Sequence, residues 1–281
     1  MIAIASCEHL PEPDVDAAPL MAALAARGLD AQVMPWTTGD FAKARLVVLR
    51  STWDYVHQRD RFVGWAEALG NRLVNPPFIV RWNTHKRYLR ELSDAHLPVV
   101  ETVLVPQGTH APLEKILARK QWFKAVVKPA VGAGSFGVRV VTSSDAAWFS
   151  KALAERDLLV QPFMQAVEEQ GERSVIVIEG EVTHGMRKTF RLAGDAENTT
   201  PVALADDERD LAQRTMAWVT RALPCGGLLY GRVDMVRDSE GAPRIMELEL
   251  TEPSLFFASS PRALALFVAG IERRYGMLKA R

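Results

Sequence analysis

The sequence predicts a mixed α/β and α+β protein, in which a domain with a parallel sheet precedes a larger part built from antiparallel strands. Two observations support this prediction. Through the first 80 residues, short apolar runs alternate with helical patterns, as in parallel sheets covered by helices. Beyond residue 80, strand-like runs follow one another with turns between them, which favours antiparallel pairing. The change of pattern predicts a domain boundary near residue 80.

In the first domain, residue spacing predicts helices over residues 16–27 and 59–69 and strands over residues 2–5, 31–34 and 46–49. Gly28 suits the position that ends the first helix. Because parallel sheets bind ligands beyond the carboxyl ends of their strands, residues 50–55 form a candidate substrate site. The side chains that favour this are Arg50, Ser51, Asp54 and Tyr55. A helix start capped by Ser51 or Asp54 is an equally consistent interpretation.

In the second part, residues 83–98 have the pattern of a helix with Asn83 as its N-cap and Pro98 after its end. Residues 207–223 show a second helical pattern. The polar, Gly- and Pro-punctuated residues 192–210 predict a loop. The strand-like runs are 125–128, 138–142, 158–161, 174–178, 228–236 and 244–250.

Composition excludes several classes of protein. The 281 residues include 34 Lys and Arg against 34 Asp and Glu, so the basic surplus of a nucleic-acid-coating or polybasic membrane-surface protein is missing. The two cysteines, Cys7 and Cys225, lie far apart, which argues against a disulfide framework or a zinc knuckle. With no signal-peptide pattern and no apolar run of membrane-spanning length, we expect a cytoplasmic protein with neither nucleic-acid nor membrane partners.

A glycine-rich motif, Gly-x-Gly-x-x-Gly, occupies residues 132–137. The runs on both sides, 125–128 and 138–141, are strand-like, so the motif lies at a hairpin tip and not at the strand-to-helix turn of a dinucleotide fold. At such a tip, glycines permit positive φ and backbone N–H groups can point at phosphate. A glycine-rich turn without a ligand is the alternative. The neighbouring Lys128 favours phosphate, because a lysine supplies a point charge for it.

A second motif consists of charged side chains on the last two strand-like runs, which the Asp-Ser-Glu-Gly turn at 238–241 joins into a hairpin. Alternate residues of a strand share a face, so Arg232 lies beside Asp234, and Glu247 lies beside Glu249. A solvated sheet face is the alternative interpretation. Clustered carboxylates repel one another and favour a cation, and Mg²⁺ is typically held by one or two carboxylates with substrate phosphates.

In this order and with these gaps, the motifs resemble the ATP-grasp superfamily, in its glutathione synthetase and D-alanine–D-alanine ligase branch. The resemblance covers residues 83 to 254, and residues 1–80 resemble the α/β domain that precedes the ATP-grasp part. Residues 83–86 resemble the opening Asn/Asp-Lys helix, and residues 126–138 resemble the second lysine and the flexible flap. ELELTEPS at 247–254 resembles the closing motif of that branch.

The resemblance implies an ATP-grasp fold in three units: a pre-ATP-grasp domain (1–80), a central subdomain with the flap (81–157) and a C-terminal subdomain with the metal site (158–281). It implies ATP and one or two Mg²⁺ ions, with Mn²⁺ as an alternative metal. The implied cofactor-binding residues are Lys86, Lys128, Gly132, Gly134, Ser135, Gly137, Gln161, Phe163, Met164 and Glu172. The implied metal ligands are Asp234, Glu247 and Glu249, and Arg232 would stabilise the transferring phosphoryl group.

Two further candidate site residues follow the Glu-Gly-Glu turn at 179–181. His184 and Lys188 are candidates to face the reacting carboxylate, with a solvated turn as the alternative. Glu249 stands where the family usually has asparagine, and Ser174 stands where glutathione synthetase has arginine. RSTWDY, RWNTHKRYL and ELEL resemble more closely a subgroup that includes the cyclo-ligase of D-cycloserine biosynthesis.

The implied function is an ATP-dependent ligase that activates a carboxylate as an acyl phosphate and couples it to an amine-type nucleophile. The expected partners are small-molecule acids and amines of the amino-acid or peptide type, and a homodimer is left open. Two alternatives remain at this point: an intramolecular cyclo-ligase of the cycloserine type, and an ATP-binding regulatory protein without ligation.

Overall fold

The computed structural model describes residues 1–134, 136–189 and 198–279 of the chain. Its N-terminal domain has the parallel sheet that the sequence predicts, and the structure shows four strands in the order β2-β1-β3-β4. The elements are β1 (Ile2–Ser6), α1 (Ala17–Ala26), β2 (Ala31–Pro35), β3 (Leu46–Leu49), α2 (Arg59–Leu69) and β4 (Leu73–Val74). Gly28 ends α1 with φ of 65°, a conformation that glycine adopts without strain.

The next two helices differ from the sequence prediction. α3 (Pro77–Asn83) was not predicted, and α4 (Tyr88–Asp94) begins five residues later than the predicted N-cap. Asn83 therefore ends one helix and does not cap another. Its buried amide donates to the Leu248 carbonyl (2.8 Å) and accepts from the Leu250 N–H (2.7 Å), so a distant strand uses its hydrogen bonds.

The central part has an antiparallel sheet in the order β5-β8-β6-β7. Its elements are β5 (Val103–Val105), α5 (Leu113–Lys120), β6 (Ala125–Pro129), β7 (Arg139–Val141), α6 (Ala146–Glu155) and β8 (Leu158–Pro162). α5 and α6 bury Leu117, Phe149 and Leu153 against one face of this sheet. The predicted hairpin around the glycine-rich motif is confirmed, because β6 and β7 pair from Ala125↔Val141 to Val127↔Arg139.

The third sheet is five-stranded and antiparallel, in the order β11-β10-β9-β12-β13. Its elements, with the helices between them, are α7 (Gln165–Gln170), β9 (Glu172–Ile178), β10 (Glu181–Lys188), β11 (Thr199–Val202), α8 (Asp206–Ala222), β12 (Tyr230–Arg237) and β13 (Pro243–Glu249). The loop predicted over 192–210 is wrong for its described part, where β11 pairs with β10 and α8 already begins at Asp206. Residues 192–197 of that prediction lie outside the described residues.

The chain ends in α9 (Pro261–Lys279), which returns to the N-terminal domain. Phe267 and Ile271 of α9 lie in one core with Ile4 and Leu24 of the parallel sheet domain. The same core includes Ile176 from the third sheet, so this C-terminal helix joins the first and last parts of the chain. Within the described residues, no helix is both long and apolar enough to cross a membrane.

The hydrogen bonds of Asn83 lead to a prediction for stability. Replacing Asn83 with Ala leaves the buried Leu250 N–H and Leu248 carbonyl without their partner, which costs about 1–3 kcal/mol for each unsatisfied group. We expect urea denaturation to show a loss of at least about 2 kcal/mol in the free energy of unfolding. The control variant Asn71→Ala, at an exposed position, should change it by less than about 0.5 kcal/mol. Equal stability of the two variants would contradict this role of Asn83.

Candidate active site

One cavity of about 760 Å³ lies where the parallel sheet domain, the central sheet and the third sheet meet. Among the residues predicted to bind ATP or metal or to act in catalysis, those that line it are Lys86, Lys128, Gly132, Gly134, Gln161, Phe163, Met164, Glu172, Lys188, Arg232, Asp234, Glu247 and Glu249. Most of the predicted site residues are thus brought together, although they come from segments up to 163 positions apart, from Lys86 to Glu249 (249 − 86).

Three of the residues predicted to bind ATP or metal or to act in catalysis are not among those lining the cavity, and neither are Arg50, Ser51 and Tyr55 of the candidate substrate site. Ser135 lies outside the described residues. Gly137 is required by the backbone of the loop, because its φ is 70° and a Cβ at this position would lie only 2.8 Å from the Pro129 Cγ. His184 lies on β10, the strand that ends at Lys188, but it is placed away from the cavity, where its Nδ1 pairs with the Thr183 hydroxyl at 2.9 Å.

The floor of the cavity is a face of the third sheet on which cations and carboxylates alternate. Arg232 pairs with Glu249 across the β12–β13 ladder, and Asp234 stands opposite Glu247. The Arg232 guanidinium donates to Asp234 (Nη2–Oδ2, 2.8 Å) and to Glu249. Lys188 contacts the Asp234 carboxylate at 3.0 Å. Strand pairing therefore turns alternation along each strand into a two-dimensional array of opposite charges.

This array separates the pKa values of the carboxyl groups. Burial opposes ionisation of Asp234, but the charges of Arg232 and Lys188 outweigh it and hold the pKa of Asp234 below its usual range. Burial raises the pKa of Glu249 to about 8, and the neighbouring negative charges of Asp234 and Glu247 add to this against the opposing effect of Arg232. Burial and the close spacing of the three carboxyl groups therefore make Glu249 harder to ionise than Asp234.

Two lysines stand over this face. Lys86 is buried, and its ammonium group contacts the Glu247 carboxylate at 2.7 Å and donates to the Gly132 carbonyl at 2.6 Å. Burial disfavours the charged form of the Lys86 ammonium group, but the negative charge of Glu247 outweighs this effect and raises the pKa of Lys86. Lys128 on β6 is equally buried, and burial lowers its pKa. An anionic ligand beside Lys128 would stabilise the charge that burial penalises.

The glycine-rich loop lies beside these lysines. Gly134 has φ of 58°, as expected for glycines at a hairpin tip. The Lys86 backbone N–H donates to the Ala130 carbonyl at 2.7 Å, which fixes the base of the loop to the start of α4. The Phe136 ring, near the tip, packs edge-on against His57 of the N-terminal domain, with 5.4 Å between ring centroids. The loop therefore spans the cavity from the central sheet to the N-terminal domain.

A further part of the cavity lining, which we call the apolar end, is a hydrophobic cluster that suits a flat ring. Its lining includes Val100, Val126, Phe163, Met164, Val167 and Met246. The Gln161 side chain is held by the Thr102 hydroxyl at 2.8 Å. The Phe163 backbone N–H donates to the Lys124 carbonyl at 3.1 Å, so the fold itself uses that donor.

Sequence reasoning predicted only part of a further region of the cavity, which we call the acid end and which is formed by His9, Glu12, Trp53, Asp54, His57, Glu252 and Ser254. The rule that ligands bind beyond parallel strands indicated this region, and Asp54 of the predicted segment does line it. Arg50 does not, because its guanidinium is buried against Asp16 (3.1 Å) and the Pro253 carbonyl (2.7 Å). Glu252 gave no signal beyond its place in the ELELTEPS segment.

The side chains present fit a magnesium ion in chemical type. Throughout residues 1–134, 136–189 and 198–279, no three acidic, His or Cys side chains are gathered into a complete metal site by themselves. Mg²⁺ does not require one, since it usually takes one or two carboxylates and completes its shell with phosphate oxygens and water. A divalent ion beside Glu249 would favour its charged form, which burial and the negative charges of Asp234 and Glu247 disfavour.

The sequence and the fold of this chain are similar to those of known proteins. Residues 2–75 match the family model for the N-terminal domain of the D-cycloserine synthetase DcsG. The whole chain is 30% identical to the cycloserine biosynthesis protein DcsG of Streptomyces lavendulae, with 93% of this chain and 94% of that protein aligned. The crystal structure of D-cycloserine synthetase DcsG superposes with a TM-score of 0.89 at 29% identity, covering 98% of this chain and 99% of that one.

More distant structures share the fold. The D-alanine–D-alanine ligase from Bacillus anthracis, solved in complex with ATP, has a TM-score of 0.73 at 16% identity, with 99% and 98% of the two chains covered. The ATP-grasp ligase PsnB, solved with a minimal precursor variant, Mg and ADP, has a TM-score of 0.66 at 18% identity, with 97% and 98% covered. The predicted fold class, with its parallel N-terminal sheet and antiparallel sheets, is confirmed.

The charged face leads to a second prediction for stability. Replacing Arg232 with Met leaves the buried Asp234 and the half-buried Glu249 without their shared cation, and breaking the buried pair with Asp234 in this way costs about 3–5 kcal/mol. The same change at Arg214, whose pair with Asp210 is exposed on α8, should cost no more than about 0.5 kcal/mol. Chemical denaturation at pH 7 measures both. A loss below about 1 kcal/mol for Arg232→Met would contradict the proposed charge balance.

Proposed function

The chain belongs to the family of the D-cycloserine synthetase DcsG, within the ATP-grasp ligases, and we propose that it uses ATP to join a substrate carboxylate to a nitrogen nucleophile. One observation carries the proposal: a single cavity combines buried lysines beside a glycine-rich loop, a carboxylate array and a separate acid end. The lysines with the glycine-rich loop and the carboxylate array suit a nucleoside triphosphate with its metal ion, and the acid end leaves room for a small acid.

The phosphate end is assigned to the lysines. Lys86 and Lys128 would contact phosphate oxygens, and the backbone around Gly132 and Gly134 would approach them closely because no side chain intervenes. The apolar end, whose lining includes Met164, would take the base, and Glu172 would accept a hydrogen bond from the ribose. The loop, which already touches His57 of the N-terminal domain, would exclude water from the phosphates.

The carboxylates are assigned to the metal. Asp234, Glu247 and Glu249 would hold one or two Mg²⁺ ions, with Mn²⁺ as an alternative, and related ligases have been solved with ATP or with Mg and ADP. A bound divalent ion supplies neutralisation of the phosphate charge during transfer. When a metal ion binds Glu247, the Lys86 ammonium group would leave this carboxylate and contact a phosphate oxygen.

The reaction would proceed in two steps. The γ-phosphoryl group passes from ATP to a carboxylate oxygen, which yields ADP and an acyl phosphate. The nucleophile's nitrogen then bonds to the acyl carbon, and the carbon–oxygen bond to phosphate breaks. Arg232 and Lys188 are placed beside Asp234 to stabilise the negative charge of both transition states. His184 would act at most on the position of β10, since it stands away from the cavity.

Ring closure within one substrate is the second candidate for the same chemistry. The observation that favours it is that the family match to DcsG includes residues 2–75, which supply His9, Glu12, Trp53 and Asp54 to the acid end. Product mass distinguishes the two reactions. Cyclisation yields one product lighter than the acid by one water, whereas coupling yields the sum of two substrates less one water.

The ligase assignment predicts the effect of removing one carboxylate. Glu247→Gln should lower ATP-dependent phosphate release by about 100-fold or more, because a metal ligand and the partner of Lys86 are lost together. The assay uses Mg²⁺, ATP and a panel of D- and L-alanine, D- and L-serine and O-substituted serines. Glu240→Gln, in the exposed turn of the same hairpin, is the matched control and should retain wild-type turnover. Turnover of Glu247→Gln near that of the control would exclude the assignment.

The phosphate assignment predicts weaker nucleotide binding in Lys128→Met. A charge-assisted hydrogen bond contributes about 1.5–3 kcal/mol, so calorimetry with ATP and Mg²⁺ should show a Kd raised about 10- to 100-fold. Lys151→Met, at an exposed position of α6, should leave the Kd unchanged. ATP binding by the wild-type chain without turnover of any acid would instead favour the regulatory-protein alternative.

A further inference from the structure

Glu252 is a buried acid that the two steps above do not use. Its side chain lines the acid end of the cavity, where the charge of Lys86 acts on it, although only 8% of the residue is exposed. It lies three positions beyond Glu249, on the segment that leaves β13 for the N-terminal domain. A carboxyl group in this place requires an explanation, because burial penalises its charge.

Two residues of the N-terminal domain hold Glu252 in place, both from the 3₁₀ helix Trp53–His57. The Trp53 ring N–H donates to the Glu252 backbone carbonyl at 3.0 Å. The buried Tyr55 hydroxyl hydrogen-bonds to the Glu252 carboxyl group. The backbone and the side chain of Glu252 are thus fixed separately, which is the arrangement of a group whose direction matters.

No residue has yet been assigned to remove the proton from the nucleophile in the second step. A nitrogen nucleophile that attacks an acyl phosphate must lose a proton, and a positioned base typically contributes about 10²–10⁴-fold to such a step. Three other ionisable side chains of the acid end, His9, Asp54 and His57, are less suited. His9 and His57 are exposed, and the Asp54 carboxylate already accepts from the Trp36 ring N–H at 2.6 Å.

We propose that the Glu252 carboxylate is the general base that takes the proton from the substrate's nitrogen as this nitrogen attacks the acyl phosphate. The inference deepens the proposed function and rests on it. The nitrogen lone pair forms the bond to the acyl carbon, the carbon–oxygen bond to phosphate breaks, and the proton moves from nitrogen to a Glu252 oxygen. Phosphate leaves with the electron pair of the broken bond, and the proton passes from Glu252 to solvent when the product departs.

The charges around Glu252 are consistent with a group that exchanges protons near neutrality. Burial raises its pKa to about 7, and the negative charge of Glu247 on β13 adds to this. The opposing influences come from Tyr55 on the 3₁₀ helix, Lys86 before α4 and Arg232 on β12. The rate of ligation should therefore fall as the pH drops below about 7, because a protonated Glu252 carboxyl group cannot accept the proton of the nucleophile.

The decisive experiment separates acyl phosphate formation from nucleophilic attack. Hydroxylamine, which is uncharged at pH 7, needs no base to trap an acyl phosphate as a hydroxamate. For the panel acid that releases phosphate fastest, Glu252→Gln should lower ligation at least about 100-fold while hydroxamate formation stays within about threefold of wild type. Glu240→Gln should retain both activities.

Two results would overturn the proposal. Ligation by Glu252→Gln within about tenfold of wild type would exclude a base role, and an equal loss of ligation and hydroxamate formation would indicate a role in folding or substrate binding. Failure of the proposed function looks different, since the wild-type chain would then form no hydroxamate from any acid of the panel.

Tyr55→Phe supplies an independent readout. The Tyr55 hydroxyl lowers the pKa of Glu252, so its removal should raise that pKa and move the acid limb of the ligation pH profile to higher pH. The phenyl ring keeps the stacking on Phe62, with ring centroids 5.1 Å apart. A lower rate with an unmoved acid limb would mean that Tyr55 acts only in packing and would count against Glu252 as the base.

Discussion

The pairing of Arg232 with Asp234 and Glu249 is the interaction on which the site depends. A buried carboxylate is strongly disfavoured unless a cation accompanies it, and here one guanidinium serves two carboxylates on neighbouring strands. Lys188 and Lys86 extend the same arrangement to both sides. The fold can therefore keep the face intact before any ligand arrives, and a metal ion with a triphosphate could replace internal pairs with external ones without leaving charge uncompensated.

A second constraint holds the segment after β13 against the N-terminal domain. The Asp16 carboxylate accepts the backbone N–H groups of Leu255 and Phe257 at 2.5 and 2.8 Å, and the N–H of the residue between them. Arg50 binds both Asp16 and the Pro253 carbonyl. These contacts set the path of the chain through Glu252, so the acid end is built from the carboxyl end of the parallel sheet and the tail of the antiparallel hairpin together.

The sequence predicted local features well and contacts between distant segments poorly. The strands, the glycine-rich hairpin and the shared faces of Arg232 with Asp234 followed from alternation along the chain and are confirmed. The N-cap at Asn83 and, within residues 198–210, the predicted loop were wrong, because a polar side chain and a polar stretch look alike whether they face solvent or bond to a remote strand. The roles of individual site residues stay predictions.

The sequence by itself determined which residue types alternate, where glycine permits a tight turn and which charged side chains share a face, since these depend on neighbours a few positions away. Only the tertiary structure decided that Trp53, Tyr55 and Glu252 meet at one end of the cavity, and that His184 stands apart from it. The physical reason is that such meetings depend on how three sheets pack. Packing sums many weak apolar contacts over the whole chain, and no local pattern records that sum.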